Sequence, residues 1–178
     1  MNDTSIKIKV ALADDHVLLR NALATLIDNF GDCKVIHHSG SGKELTESIE
    51  SGTVPDVVIL DLNMPNMNGF ETAEWLHKNH PAIPVLMLTM YDSELSMIKL
   101  LQTGVKGFLK KDVHPSELNF AIHSVVQSGF YYSNHSTGKL VNLFRNNPDG
   151  NTGLQKYNIF CISVQIKFFK IGLFRPNL

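Results

Sequence analysis

At 178 residues, with 43% hydrophobic and 19% charged residues, the chain has the size and composition of one globular domain plus an appendage. No apolar run approaches the ~20 residues a membrane helix needs, and the first ten residues are not a secretory signal, so a cytoplasmic protein without membrane contact is expected. The net charge of −1 hides an asymmetry: residues 1–150 carry 12 basic against 17 acidic groups, whereas the rest carries Lys156, Lys167, Lys170 and Arg175 and no acid, so the body offers no basic field for nucleic acid.

Two cysteines, Cys33 and Cys161, make neither a metal spacing nor a disulfide framework, and the eight histidines read as solvated or packed. Taken in chain order, Ile8-Lys9-Val10-Ala11-Leu12-Ala13 predicts a strand that ends in Asp14 and Asp15. A helix follows with Leu19, Ala22, Leu23, Leu26 and Ile27 on one face, then a short strand from Cys33 to His37. A helix of about three turns with Leu45 and Ile49 inward stops at Gly52.

Val57-Val58-Ile59-Leu60 then runs straight into Asp61. Four consecutive aliphatic residues mark a strand buried on both faces, as in a parallel sheet covered by helices. Such a strand presents Asp61 at its carboxyl end, where open α/β sheets bind ligands, and Met64-Pro65 turns the chain away. Next come a helix with Phe70, Ala73 and Leu76 inward, a strand Val85–Thr89, and a helix after Asp92 with two apolar stripes, Leu95/Ile98/Leu101 and Met97/Leu100. Gly107-Phe108-Leu109-Lys110-Lys111 predicts a fifth strand, and a last helix opened by Pro115 turns Leu118, Ala121, Ile122, Val125 and Val126 inward. The repeated β-α alternation predicts a doubly wound, five-stranded parallel sheet closing near Gly129.

Four strands thus bring Asp14, Asp15, Asp61, Thr89 and Lys111 to one rim. Three clustered carboxylates repel one another unless a cation joins them, and hard oxygen ligands suit Mg2+. An ionised carboxylate beside such a cation can attack phosphorus, with Lys111 and Thr89 stabilising charge on the transferred group.

Asp14-Asp15, Asp61-Leu62-Asn63-Met64-Pro65, Thr89 and Lys111 together resemble the receiver domain of bacterial two-component response regulators, over about residues 6–129. The resemblance implies a flavodoxin-like sheet of order 2-1-3-4-5. It also implies Asp61 as phosphoacceptor, Asp15 and the Asn63 carbonyl as direct Mg2+ ligands, Asp14 as an outer partner, and Thr89 and Phe108 as the switch pair. A sensor histidine kinase is the expected phosphoryl donor, and a homodimer is expected through the face built from the helix at 92–103, the fifth strand and the last helix. The resemblance further implies a receiver that catalyses its own phosphorylation and dephosphorylation but is not a turnover enzyme on an external substrate. Asp112 after Lys111 departs from the proline found in many receivers.

Phe130-Tyr131-Tyr132-Ser133, followed by Leu140, Leu143 and Phe144, resembles the linker of LuxR/NarL/FixJ-type regulators that carry a helix-turn-helix domain. The expected organisation is a receiver at 1–129, a partly helical linker at 130–150 and an atypical tail at 151–178. That tail is too short for four helices of average length, and Phe160, Ile162, Val164, Ile166 and Phe168 alternate with a strand-like period. DNA binding is therefore expected only from an output domain outside this chain, and a frame change near Leu154 is one reading of the tail. The alternatives are a stand-alone receiver acting by protein contact or phosphorelay, and an aspartate-nucleophile phosphatase of the haloacid dehalogenase kind. The latter wants a carboxylate two positions after the nucleophile, where this chain has Asn63.

Overall fold

The computed structural model describes residues 7–90 and 99–133. The stripe residues Leu95, Met97 and Ile98, most of the expected linker and the whole 151–178 segment lie outside the described residues. The elements run β1 (Ile8–Ala13), α1 (Val17–Asp28), β2 (Cys33–Ser39), α2 (Gly42–Glu50), β3 (Val57–Asp61), α3 (Gly69–Asn79) and β4 (Val85–Thr89). A helical turn at residues 99–102, α4, precedes β5 (Gly107–Lys110), α5 (Pro115–Ser128) and β6 (Tyr131–Tyr132). All strand pairs are parallel and the order is β2-β1-β3-β4-β5-β6.

Because successive strand side chains point to opposite faces, β3 feeds two cores at once. Val58 and Leu60 pack with Leu45, Ile49, Ala73, Leu76, Leu100 and Leu101 from α2, α3 and α4. Val57 and Ile59 pack with Leu23 and Ile27 of α1 and with Leu118, Ala121, Ile122 and Val125 of α5. Every residue of β3 and β4 is buried, which is why both read as unbroken apolar runs. Each buried aliphatic side chain contributes about 1.5–3 kcal/mol.

Two expectations about helix faces need correction. Ala22 of α1 is exposed, and Val126 of α5 is 36% exposed instead of inward. In both helices the apolar stripe is wider than the strip the sheet covers, so the residues at its margin stay in water.

The sheet also has a short sixth strand where five were expected, formed by two residues of the segment read as linker. Tyr131 and Tyr132 are buried, one in each core. The Tyr131 N–H donates to the Lys106 carbonyl at 2.8 Å, and its hydroxyl donates to Glu117 Oε1 at 2.8 Å. Gly107 makes this pairing possible, since a Cβ there would lie 2.4 Å from the Tyr131 carbonyl oxygen. None of the described helices is long and apolar enough to cross a membrane.

Candidate functional site

The carboxyl ends of β1, β3, β4 and β5 meet at one rim, as the strand pattern requires. Asp61 is the last residue of β3 and Thr89 the last of β4. Asp14 follows β1, and Lys111 follows β5, with its N–H donating to the Thr89 carbonyl at 3.0 Å. The Lys111 ammonium lies 2.8 Å from Asp14 Oδ2 and 2.9 Å from Asp61 Oδ2, and all three side chains are at most 6% exposed.

Two carboxylates and one ammonium, all buried, do not balance, and the electrostatics reflect it. Burial pushes the Asp61 carboxyl above its ordinary value; Lys111 pulls it down and Asp14 pushes it further up. Burial alone would lower Lys111, but the contacts to Asp14 and Asp61 outweigh it and hold the ammonium above its ordinary value. Asp14 Oδ2 has its ion pair but no aligned hydrogen bond, which leaves a buried anionic oxygen with unused acceptor capacity.

The local chain holds these groups rigidly. Asp61 Oδ1 accepts from the Leu62 N–H at 2.8 Å, and Arg20 Nη1 donates to the Asp14 carbonyl at 2.5 Å, anchoring the end of β1 to α1. After Pro65 the loop passes through Asn66 in a left-handed conformation (φ 65°) and enters α3 through a capping box between Asn68 and Glu71. Gly69 lets that helix start against the site: a Cβ there would lie 2.3 Å from the Asp61 carbonyl oxygen.

Asp14, Asp15 and Asp61 come together with His16, their ligand atoms all within 4.8 Å of one another. The sequence alone gives His16 no role beyond a solvated or packed side chain. Its Nδ1 lies 2.9 Å from Asp15 Oδ1 and 3.2 Å from Asp14 Oδ1, while its ring is largely exposed. The signal was its place directly after the acidic pair. Asn63 is exposed in the loop after β3. Thr89 is 5% exposed. Phe108 is also buried, its ring 5.2 Å from that of Tyr132, a partner that only the sixth strand supplies. Met90 is 69% exposed beside Thr89, and the described peptide bonds, Lys111–Asp112 included, are all trans.

At the opposite, amino end of the sheet Cys33 is fully buried, and burial together with the neighbouring Asp32 pushes its thiol up to about 12. Beside it the His123 imidazole and the Asp32 carboxylate pair at 2.9 Å.

The fold is a doubly wound parallel sheet with buried acid, hydroxyl and amine at its carboxyl rim, and comparison with known proteins gives the family. Residues 10–123 match the response regulator receiver domain, so the chain belongs to that family. It is 31% identical over 139 residues to the transcriptional regulatory protein DegU of Brevibacillus brevis, covering 78% of this chain and 58% of that protein. It is 32% identical over 141 residues to the nitrate/nitrite response regulator protein NarL of Escherichia coli K12, covering 78% and 63%. Among solved structures it resembles the signal receiver domain of the putative response regulator NarL from Mycobacterium tuberculosis, with 29% identity and a TM-score of 0.65 over 68% of this chain and 97% of that one. Its homologues are thus of the LuxR/NarL kind, and the chain spans about three-fifths of the length of the curated relatives it matches.

Proposed function

We propose that Asp61 accepts a phosphoryl group from the phosphohistidine of a sensor kinase, and that the phosphorylated domain signals through the face formed by α4, β5 and α5. The observation that carries this reading is the buried trio of Asp14, Asp61 and Lys111, joined by contacts of 2.8 and 2.9 Å at the carboxyl rim. Buried charge in surplus is costly, and a protein that keeps it there has it available for chemistry.

An Asp61 oxygen attacks phosphorus, forming an O–P bond as the N–P bond to the donor histidine breaks and the imidazole leaves with the electron pair. Burial raises the Asp61 carboxyl above its ordinary value, and its bond to the Leu62 N–H fixes one oxygen so that the other faces Lys111. Lys111 can exchange its contact with Asp61 for one to the transferred oxygens, where transition-state charge spreads.

The donor set fits Mg2+: the carboxylates of Asp14, Asp15 and Asp61 are hard oxygens, and Asp14 Oδ2 has spare acceptor capacity. Asp14, Asp15, Asp61 and, by family resemblance, the Asn63 carbonyl would hold the ion. When bound it neutralises charge on the phosphoryl oxygens. Thr89 and Phe108 then form the switch, because a phosphoryl group on Asp61 offers Thr89 and Lys111 contacts that exist in only one state. By analogy with relatives named as transcriptional regulators, the output is control of transcription through a DNA-binding region beyond the receiver.

The test is intact-mass analysis after incubation with acetyl phosphate. Wild-type protein gains one phosphoryl group with Mg2+ and none with chelator. Equal labelling with chelator, or equal labelling of Asp61→Asn, would overturn the proposal.

A further inference from the structure

The rim absorbs the acidic cluster, but a second group of metal-ligating side chains lies at the other end of the sheet. Asp32, Cys33 and His123 bring one oxygen, one sulfur and one nitrogen within 4.8 Å of one another. We propose that these three residues form a cation site for a borderline-soft ion of the Zn2+ type, with water completing its coordination.

The chemistry of the donors sets the class. Thiolate and imidazole select Zn2+ and similar ions, whereas Mg2+ prefers oxygen alone. A tetrahedral Zn2+ with these donors asks for separations of roughly 3.3–3.6 Å. His123 Nε2 and Asp32 Oδ2 stand at 2.9 Å, and the exposed Asp32 can swing to admit an ion between them.

Two of the three ligands sit on rigid supports. Cys33 opens β2 in register with Ile8 of β1, and the Ile8 N–H donates to the Asp32 carbonyl at 2.9 Å. His123 lies in the middle of α5 next to Ile122, which is fully buried. Their exposures grade from one side of the cluster to the other. Cys33 is 0% exposed at the base, the His123 side chain is 26% exposed and that of Asp32 54%, so an ion enters from the Asp32 side and meets the thiol last. Sequence spacing could not reveal the site, because its ligands come from the start of β2 and from α5. An ion there fastens α5 to the β1–β2 edge of the sheet.

The test is titration of the reduced full chain with Co2+ in buffer saturated with Mg2+, which keeps the rim occupied. The expected result is a thiolate-to-Co2+ absorption band that saturates at one equivalent and persists in Cys161→Ser. It is lost in Cys33→Ser, and the affinity falls at least about tenfold in His123→Ala. Zn2+ should compete the band away and raise the thermal midpoint of wild type more than that of His123→Ala. The His123 variant keeps the test decisive if Cys33→Ser folds poorly. Absence of the band at stoichiometric Co2+, its survival in Cys33→Ser, or an unchanged affinity in His123→Ala would each overturn the proposal.

Discussion

The two ends of the same sheet hold opposite kinds of polar cluster. At the carboxyl end, Asp14, Asp61 and Lys111 are oxygen and ammonium, all nearly inaccessible, with negative charge in surplus. At the amino end, Asp32, Cys33 and His123 mix oxygen, sulfur and nitrogen, with two of the three reaching water. The difference follows from topology. In an open parallel sheet the carboxyl rim, where all the strands end, is the end at which ligands bind, and four strands supply its polar groups, whereas the amino-end cluster joins the start of one strand to the side of one helix. Burial then makes the rim expensive and reactive, while its partial exposure leaves the amino-end cluster cheap to keep.

The largest expected effect comes from removing the rim's counter-charge. Lys111→Met leaves two buried carboxylates facing each other and should cost about 3 kcal/mol in chelator, measured by urea unfolding, with part of the loss restored by Mg2+. An unchanged midpoint would mean that the rim is wetter than its burial indicates. Next is Gly69→Ala, where the new Cβ must displace the Asp61 backbone or the start of α3. A loss of about 1–3 kcal/mol and slower labelling by acetyl phosphate are expected together, and loss of stability with normal labelling would uncouple that contact from the site.

A smaller effect concerns pH. The Asp61 carboxyl is raised above its unfolded value, so its ionisation opposes folding. For this sign, the favourable contribution is present below the unfolded carboxylate range and is lost as pH rises through the higher folded value. In chelator, Asp61→Asn should therefore be more stable than wild type at pH 7, and the advantage should shrink as pH falls through the acid range. A pH-independent difference would refute burial as the dominant cause. Lys111 has the same sign at a higher pH: its raised value adds stability below its ordinary value that is lost only in strongly alkaline solution. Smallest of all, Met90→Ala should shorten the lifetime of the phosphorylated form if that 69% exposed side chain folds over the phosphoryl group; an unchanged lifetime would remove it from the account.

Much of the rim was legible in the chain itself. Val57–Leu60 reads as a strand buried on both faces, and that places Asp61; Thr89 and Lys111 follow because β4 and β5 carry the same kind of run. What escaped depends on tertiary contact. Tyr131 and Tyr132 read as linker because a two-residue strand has no periodicity, and only the space over Gly107 reveals where it pairs. His16 was passed over because an exposed histidine carries no local signal until the two carboxylates beside it are fixed in space. Val126 was misplaced because helical periodicity gives the direction of a stripe but not the width its neighbours cover. Cys33 looked isolated because His123 reaches it from the far end of the domain.

The most direct test of the central claim is to locate the phosphoryl group. After reaction with acetyl phosphate and Mg2+, the acyl phosphate is trapped by borohydride reduction and the peptides are sequenced by mass spectrometry. The account predicts reduction at Asp61 alone, in the peptide that carries Leu62 and Asn63. Reduction at Asp14 or Asp15, or undiminished reduction elsewhere in Asp61→Asn, would contradict it.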